Sequence, residues 1–452
     1  MQNETIAAIA TPPGMGGVGI IRISGGQALA IGQQMTNQTL TPRLAQYSVF
    51  RNAQQDTLDR GIALYFEAPN SYTGEAVVEL QGHGGIHVMQ RLLQAVLALG
   101  ARQARPGEFT ERAFLNGKMD LVQAEAVADL IASRSQSAAD AAMRSLNGEF
   151  STVIHTLEQT IIGLRVYIEA ALDFSDEEID FLSEGNIASR LDALFEEVCL
   201  TLDKANQGKV LQEGVQIVLV GQPNVGKSSL MNRLLGQERA IVTEQAGTTR
   251  DTIEESLIIQ GIPVRITDTA GLREADDLVE KAGIERTKQA VRAAALAIWL
   301  RDASHLQDKK PDELSLDGGI DFIEVHNKQD LCQQDLCQAP PIETNGVLTN
   351  DVLKISAKTG QGIDQLITAI AKRITYQHHE ESIFSARERH VQALKVVKFH
   401  IQQAVQCIQS LATSELVAEE LRLAQNSLCE ITGEFTSDDL LGEIFGQFCI
   451  GK

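Results

Sequence analysis

The stretch "VQIVLVGQPNVGKSSLMNRLLG" at residues 215–236 leaves the chain few folds to choose from. Its apolar start reads as a buried strand, its middle is Gly221-x-x-x-x-Gly226-Lys227-Ser228, and its end reads as a helix. The glycines let backbone N–H groups curl around a β-phosphate, and the new helix points its positive end at the same anion. Lys227 is placed to reach the β/γ oxygens, and the Ser228 hydroxyl suits Mg²⁺. Asn224, Val225 and Ser229 complete the candidate loop. A strand that ends in such a loop calls for a mostly parallel sheet covered by helices.

The following residues extend the pattern. "VRITDTAGLRE" ends an apolar strand in Asp268-Thr269-Ala270-Gly271, where the Asp suits an outer contact to Mg²⁺ and the Gly271 N–H can sense a γ-phosphate. "EQAGTTRD" offers Thr248 and Thr249, either of which could close over the metal. "IDFIEVHNKQD" ends in Asn327-Lys328-x-Asp330, and "LKISAKTGQG" in Ser356-Ala357-Lys358. Guanine shows N1–H and N2–H₂ donors side by side, so the two oxygens of Asp330 can accept from both. Adenine offers no such pair, and a site built on buried hydrogen bonds discriminates by about 10⁴ or more. These motifs, in this order and each at a strand end, point to GTP.

Hydrolysis is less settled by the residues. Leu272 stands where Ras-type enzymes place a water-orienting Gln, and Leu cannot do that work. Glu274, Asp276, Asp277 and Glu280 all remain open as replacements. Arg250 and Arg273 are candidate sources of positive charge for the transferring phosphoryl group, and a monovalent cation held by Asn224 is the alternative.

The rest of the 452 residues surrounds this block. Residues 1–118 alternate β-rich runs with one amphipathic helix, "HVMQRLLQAVLALG", and predict an α+β domain. Residues 119–210 and 377–452 carry helical spacing, so the G domain at 211–376 is expected as an insertion between two parts of one helical domain. The fold expected is multidomain, α/β plus α, with a Ras-like P-loop domain whose mostly parallel sheet is doubly wound. His83 in "QGHGG" is expected in a tight backbone turn. The longest apolar run, "AAALAIWL", is too short for a membrane span, which needs about 20 residues. Glu4 stands where a signal peptide carries positive charge, so a cytoplasmic protein is expected. Six scattered cysteines without a C-x-x-C pair argue against a zinc ribbon or a disulfide framework. A net charge of −21 argues against a large non-specific grip on nucleic acid. The terminal "CIGK" fits a prenylation signal poorly, because Gly451 and Lys452 are unsuited to it.

The chain closely resembles the MnmE (TrmE) family of bacterial and organellar tRNA-modification GTPases. The resemblance rests on "TPPGMGGVGIIRISG", "SYTGEAVVELQGHGG", "RAFLNGKMDLVQAEAVADLI", "GQPNVGKSS", "AGTTRDTIEE", "DTAGLREADDLVEKAGIER", "NKQD" and "CIGK". It implies an N-terminal domain similar to folate-binding domains that also mediates homodimerisation. It further implies G domains that pair across their nucleotide faces with K⁺, held by Asn224, Thr243, Gln245 and Thr248. Thr249 is then the second Mg²⁺ residue beside Ser228, and Glu280 positions the attacking water. The reaction implied is modification of wobble uridine at C5 to an aminomethyl-type group. An FAD-dependent partner, MnmG (GidA), and a carbon carried on tetrahydrofolate (5-formyl or 5,10-methylene) take part. Arg22, Glu79, Lys118 and Lys452 are the implied folate contacts, and Cys449 is a candidate thiol beside them. A carboxylate suits pterin donors and cations suit the glutamate tail. The competing reading is a regulatory GTPase that binds ribosomal RNA or an assembly intermediate; such factors usually add compact basic modules, and nothing strongly basic stands out here.

Overall fold

The structure, a computed structural model, describes residues 4–173, 187–237, 254–268, 291–292, 294–304, 320–331, 352–374, 383–410, 414–434 and 438–451. The N-terminal part runs β1 (Ile6–Ile9), β2 (Gly16–Ser24), α1 (Ala28–Thr36), β3 (Gln46–Arg51), β4 (Thr57–Phe66), β5 (Val77–Gly84), α2 (Ile86–Ala98), β6 (Arg102–Gln103) and α3 (Glu108–Leu115). Helices α4 (Leu121–Ala132), α5 (Gln136–Leu146), α6 (Glu149–Asp173) and α7 (Ile187–Glu213) follow. The central block holds β7 (Val215–Val220), α8 (Lys227–Gln237), β8 (Glu254–Ile259), β9 (Ile262–Asp268), β10 (Leu296–Asp302), β11 (Phe322–Asn327), β12 (Leu353–Lys354) and α9 (Ile363–Ile374). Helices α10 (Glu388–Gln409), α11 (Ser414–Thr432) and α12 (Asp438–Gly446) close the chain. Two compact units form: residues 1–128, 145–198 and 393–452 make one, and residues 129–144 and 199–392 the other.

In the first unit a six-stranded sheet has the order β3-β4-β5-β2-β1-β6, antiparallel except for β1 with β6. Successive side chains of a strand point to opposite faces. Ile21 and Ile23 of β2, with Val78 and Leu80 of β5, therefore bury against Ile31 and Met35 of α1 and Met89, Leu92 and Val96 of α2. Arg22 and Glu79, opposite one another in the register, are left on the other face. His83 does not form a turn: it lies within β5, its backbone N–H and Nδ1 both bonded to Asp59 at 2.7 Å. The Asp59 carboxylate on the neighbouring strand supplies what a turn would have supplied locally.

Within the same unit α11 buries Val417, Leu421, Ala424, Leu428 and Ile431, one stripe at helical spacing, while α6 buries Phe150, Ile154, Leu157, Ile161, Leu164 and Ile168. Burial and the Glu158 carboxylate push the Cys429 thiol of α11 up to about 12, so it stays protonated at neutral pH. The end of the chain is anchored by aromatics: Ile444, Phe445 and Phe448 pack on Leu121, Ala124 and Phe114, with the Phe114 and Phe445 rings 6.3 Å apart.

In the second unit the sheet order is β12-β11-β10-β7-β9-β8, parallel throughout except for β8 with β9. One face packs on Leu230, Met231 and Leu234 of α8 and Ile363, Leu366, Ile370 and Ala371 of α9. Helix α9 carries Asp364 in its first turn and Lys372 and Arg373 in its last, matching its dipole. On the other face Val218, Val220, Ala297 and Trp299 bury with Val291. Strand β7 is central and the chain departs to β9 on one side and β10 on the other, the arrangement that opens a crevice at the strands' carboxyl ends.

Candidate functional site

The loop of residues 221–226 leaves β7 at that crevice and enters α8. Gly226 has φ +99°, and a Cβ there would lie 2.3 Å from the Asn327 side-chain nitrogen, so only glycine fits. Asn224, at φ 64°, holds the left-handed conformation that Asn tolerates best among residues with a side chain. Buried Lys227 lies across the loop, its ammonium donating to the carbonyls of Gly221 at 2.8 Å and Gln222 at 2.9 Å. Asn224, Ser228 and Ser229 are exposed around it, and the Ser228 hydroxyl at the start of α8 is suited to a Mg²⁺ ion. The backbone of Asp268 ends β9 directly beside Leu219 of β7, one strand from the loop.

The residues expected to recognise the base converge from two further strand ends. Asn327 is 2% exposed; its amide donates to Val225 O at 2.8 Å and accepts from Ala357 N–H at 2.9 Å. Its side chain therefore ties the phosphate loop to the 356–358 loop. Asp330 is exposed, and buried Ser356 donates its hydroxyl to Asp330 Oδ1 at 2.6 Å, fixing the carboxylate for a flat pair of donors. Lys328 donates to Asp302 Oδ2 at 2.7 Å. Burial alone would raise the Asp302 carboxyl, but bonds from Lys328 and Ser304 outweigh it and hold it at about 2. Arg233 of α8 donates to the carbonyls of Ala357, at 3.0 Å, and of Lys358. Neither Arg233 nor Asp302 shows itself in the sequence, since each works only through a loop distant along the chain. Thr243, Gln245, Thr248, Thr249, Arg250, Thr269, Ala270, Gly271, Arg273, Glu274, Asp276, Asp277 and Glu280 lie outside the described residues.

A second constellation sits on the face of the first unit's sheet opposite α1 and α2. Arg22 Nε donates to Glu79 Oε1 at 3.0 Å, and both side chains are largely buried. The guanidinium also lies 5.3 Å from the centre of the Tyr72 ring and 5.7 Å from that of Phe109, within cation–π range. The chain's end comes to the same place. Arg22 Nη1 donates to Gly451 O at 3.5 Å, Ile450 bridges Pro106, and Gly107 N–H donates to Cys449 O. Gly451 has φ +101°, and a Cβ there would lie 2.2 Å from Ile9 O. Cys449 is an exposed free thiol. Lys118 is exposed with its stem beside Gly74, and among the described residues no bond joins it to Arg22 or Glu79. Lys452 lies outside the described residues. Tyr72 and Phe109 are additions that sequence reasoning missed, being ordinary aromatics until the fold sets them beside a cation.

The fold and the loops define a P-loop protein of the GTPase class. A family model described as the MnmE helical domain matches residues 121–449, and one described as GTP-binding protein TrmE N-terminus matches residues 5–118. Relatives named tRNA modification GTPase MnmE are 53% identical over 459 residues in Dichelobacter nodosus, 51% over 455 in Dechloromonas aromatica and 47% over 459 in Vibrio cholerae. Each alignment covers 100% of this chain and 99% or more of the relative. The chain belongs to the MnmE family.

Proposed function

We propose that this chain is the GTP-hydrolysing component of a system that modifies C5 of the wobble uridine of tRNA in the cytoplasm. Its domains take the bounds 1–118, 119–210, 211–376 and 377–452. GTP is bound by the 224–229 loop, by Thr243, Thr248 and Thr249, by Asp268 to Gly271, by Asn327, Lys328 and Asp330 and by Ser356 to Lys358. Mg²⁺ belongs to Ser228 and Thr249. K⁺ belongs to Asn224, Thr243, Gln245 and Thr248, at the face where two G domains of a homodimer meet, and Glu280 positions water. Hydrolysis then supplies conformational work rather than the modifying chemistry, by biasing a two-state pairing of G domains.

The one-carbon unit comes from a tetrahydrofolate derivative, and an FAD-dependent partner of the MnmG type completes the reaction. The observation that carries the folate part is the joining of the chain's end to the Arg22–Glu79 pair. A carboxylate beside a guanidinium, lined by Tyr72 and Phe109, offers acceptors for pterin N–H groups, a cation for a glutamate tail and rings for stacking. By the family resemblance Lys118 and Lys452 are further folate contacts, and Cys449 is a candidate thiol for the carbon transfer. Calorimetry with 5-formyl-tetrahydrofolate tests this on the intact chain, on a chain ending at Phe448 and on Glu79→Gln. Binding to the intact chain that weakens in both variants is expected. No binding to the intact chain would overturn the folate part and leave a GTPase that acts without it.

A further inference from the structure

Away from the nucleotide loops and the chain's end, three ligating side chains gather where α6 meets the end of α11. His155 and Glu158 stand one turn apart on α6, and Glu434 follows Gly433 at the end of α11. One donor atom from each lies within 4.8 Å of the other two. Glu434 is held there by its backbone, its N–H and that of Gly433 both donating to Cys429 O, at 3.1 and 3.0 Å.

Glu158 is the informative member. Its side chain is 9% exposed, and among the described residues no lysine or arginine pairs with it. A buried carboxylate is costly unless a cation or strong donors offset it. Its neighbours supply only long contacts. Oε1 accepts from the Cys429 thiol at 3.3 Å and from the Gln425 amide at 3.5 Å, while Oε2 faces His155 Nδ1 at 3.5 Å. A charged hydrogen bond between imidazole and carboxylate closes to about 2.7–2.9 Å. Donors about 2.0–2.2 Å from a tetrahedral Zn²⁺ instead stand roughly 3.3–3.6 Å from one another. The 3.5 Å separation of His155 and Glu158 falls in that range, and all three donor atoms lie within 4.8 Å of one another.

The two oxygens of Glu158 also have separate tasks. Cys429 and Gln425 hold Oε1, which leaves Oε2 facing His155, and the Cys429 thiol lies within hydrogen-bond reach of the Glu434 carboxylate as well, outer support of the kind that orients ligating carboxylates. His155 and Glu434 are solvent-accessible, giving an entry path. We propose that His155, Glu158 and Glu434 form a site for a divalent transition-metal ion, Zn²⁺ by donor type, with a fourth position open to water. Imidazole with carboxylates suits zinc, whereas Mg²⁺ prefers oxygen donors and its own waters. The ion ties α6 to the residue at which the chain leaves α11.

The test uses the full-length chain, stripped with chelator, loaded with Zn²⁺ alone or Co²⁺ alone and freed of excess metal by gel filtration. Metal is counted by mass spectrometry, and the Co²⁺ absorption spectrum reports the coordination geometry. One ion per chain is expected, with affinity lowered at least about tenfold by Glu434→Gln and by His155→Ala. Both positions are accessible, so circular dichroism should show these variants folded as the parent is. Ser228→Ala and Cys449→Ser, which remove the hydroxyl suited to Mg²⁺ and the exposed thiol near the chain's end, should leave the count unchanged. A parent chain that retains no zinc overturns the proposal, and so does retention that survives both ligand substitutions.

Discussion

Replacing Asn327 by alanine strikes the joint on which the nucleotide site depends. Its amide makes two hydrogen bonds, to Val225 O at 2.8 Å and from Ala357 N–H at 2.9 Å, between groups that are themselves buried. Each bond contributes about 1 kcal/mol net, and each partner left buried without a replacement costs about 1–3 kcal/mol. With some relief from entering water the loss is about 2–4 kcal/mol, shared between domain stability and the ordering of both loops around nucleotide. If half falls on binding, GDP affinity drops about 5–30-fold. Asn327→Asp is the sharper variant. It keeps an acceptor for Ala357 N–H but sets an anionic oxygen against the Val225 carbonyl, so it should bind nucleotide more weakly than the alanine variant. Titration with a fluorescent GDP analogue, alongside urea unfolding to separate stability from binding, measures both. Affinities within threefold of the parent for both variants would refute the bridge, as would an aspartate variant equal to the parent.

Asp330→Asn exchanges one acceptor for a donor, so GTP affinity should fall at least about a hundredfold while xanthosine triphosphate, with a carbonyl where guanine has its amino group, gains; competition titration checks it. Glu108 is held at about 2: burial would raise it, but bonds from Arg102, the Arg105 N–H and Arg112 prevail. Its folded value lies below the ordinary 4.5, so its contribution, on the order of 2–3 kcal/mol, is present above about 4.5 and lost as pH falls towards 2. Urea midpoints of the parent should fall across that window, and those of Glu108→Gln should fall less. Phe448→Ala empties a buried aromatic position against Phe445 and should destabilise the first unit by about 3–5 kcal/mol, read as a drop in melting temperature.

What could be read from the sequence was what is local along it. The 221–228 loop couples a strand, two glycines and a helix in consecutive residues, and each of the 327–330 and 356–358 motifs sits at one strand end, so residue type and order sufficed. The contacts that make the site work are not local. Asn327 reaches Val225 across 102 residues, and Arg22 meets Gly451 across 429. No periodicity reports such meetings. Arg22 and Glu79 look like surface charges in sequence; they are paired because strand alternation sets both on the face opposite α1 and α2. His83 misled because glycine neighbours signal a turn, whereas here they let β5 pass close to its partner strands.

GTP turnover by this chain is proposed to drive wobble-uridine modification. The direct measurement is nucleoside mass spectrometry of tRNA from cells lacking the chain, complemented with the parent or with Lys227→Ala. The C5-modified wobble nucleoside should vanish in its absence, return with the parent and stay absent with Lys227→Ala. An unchanged nucleoside profile in cells lacking the chain would contradict the claim.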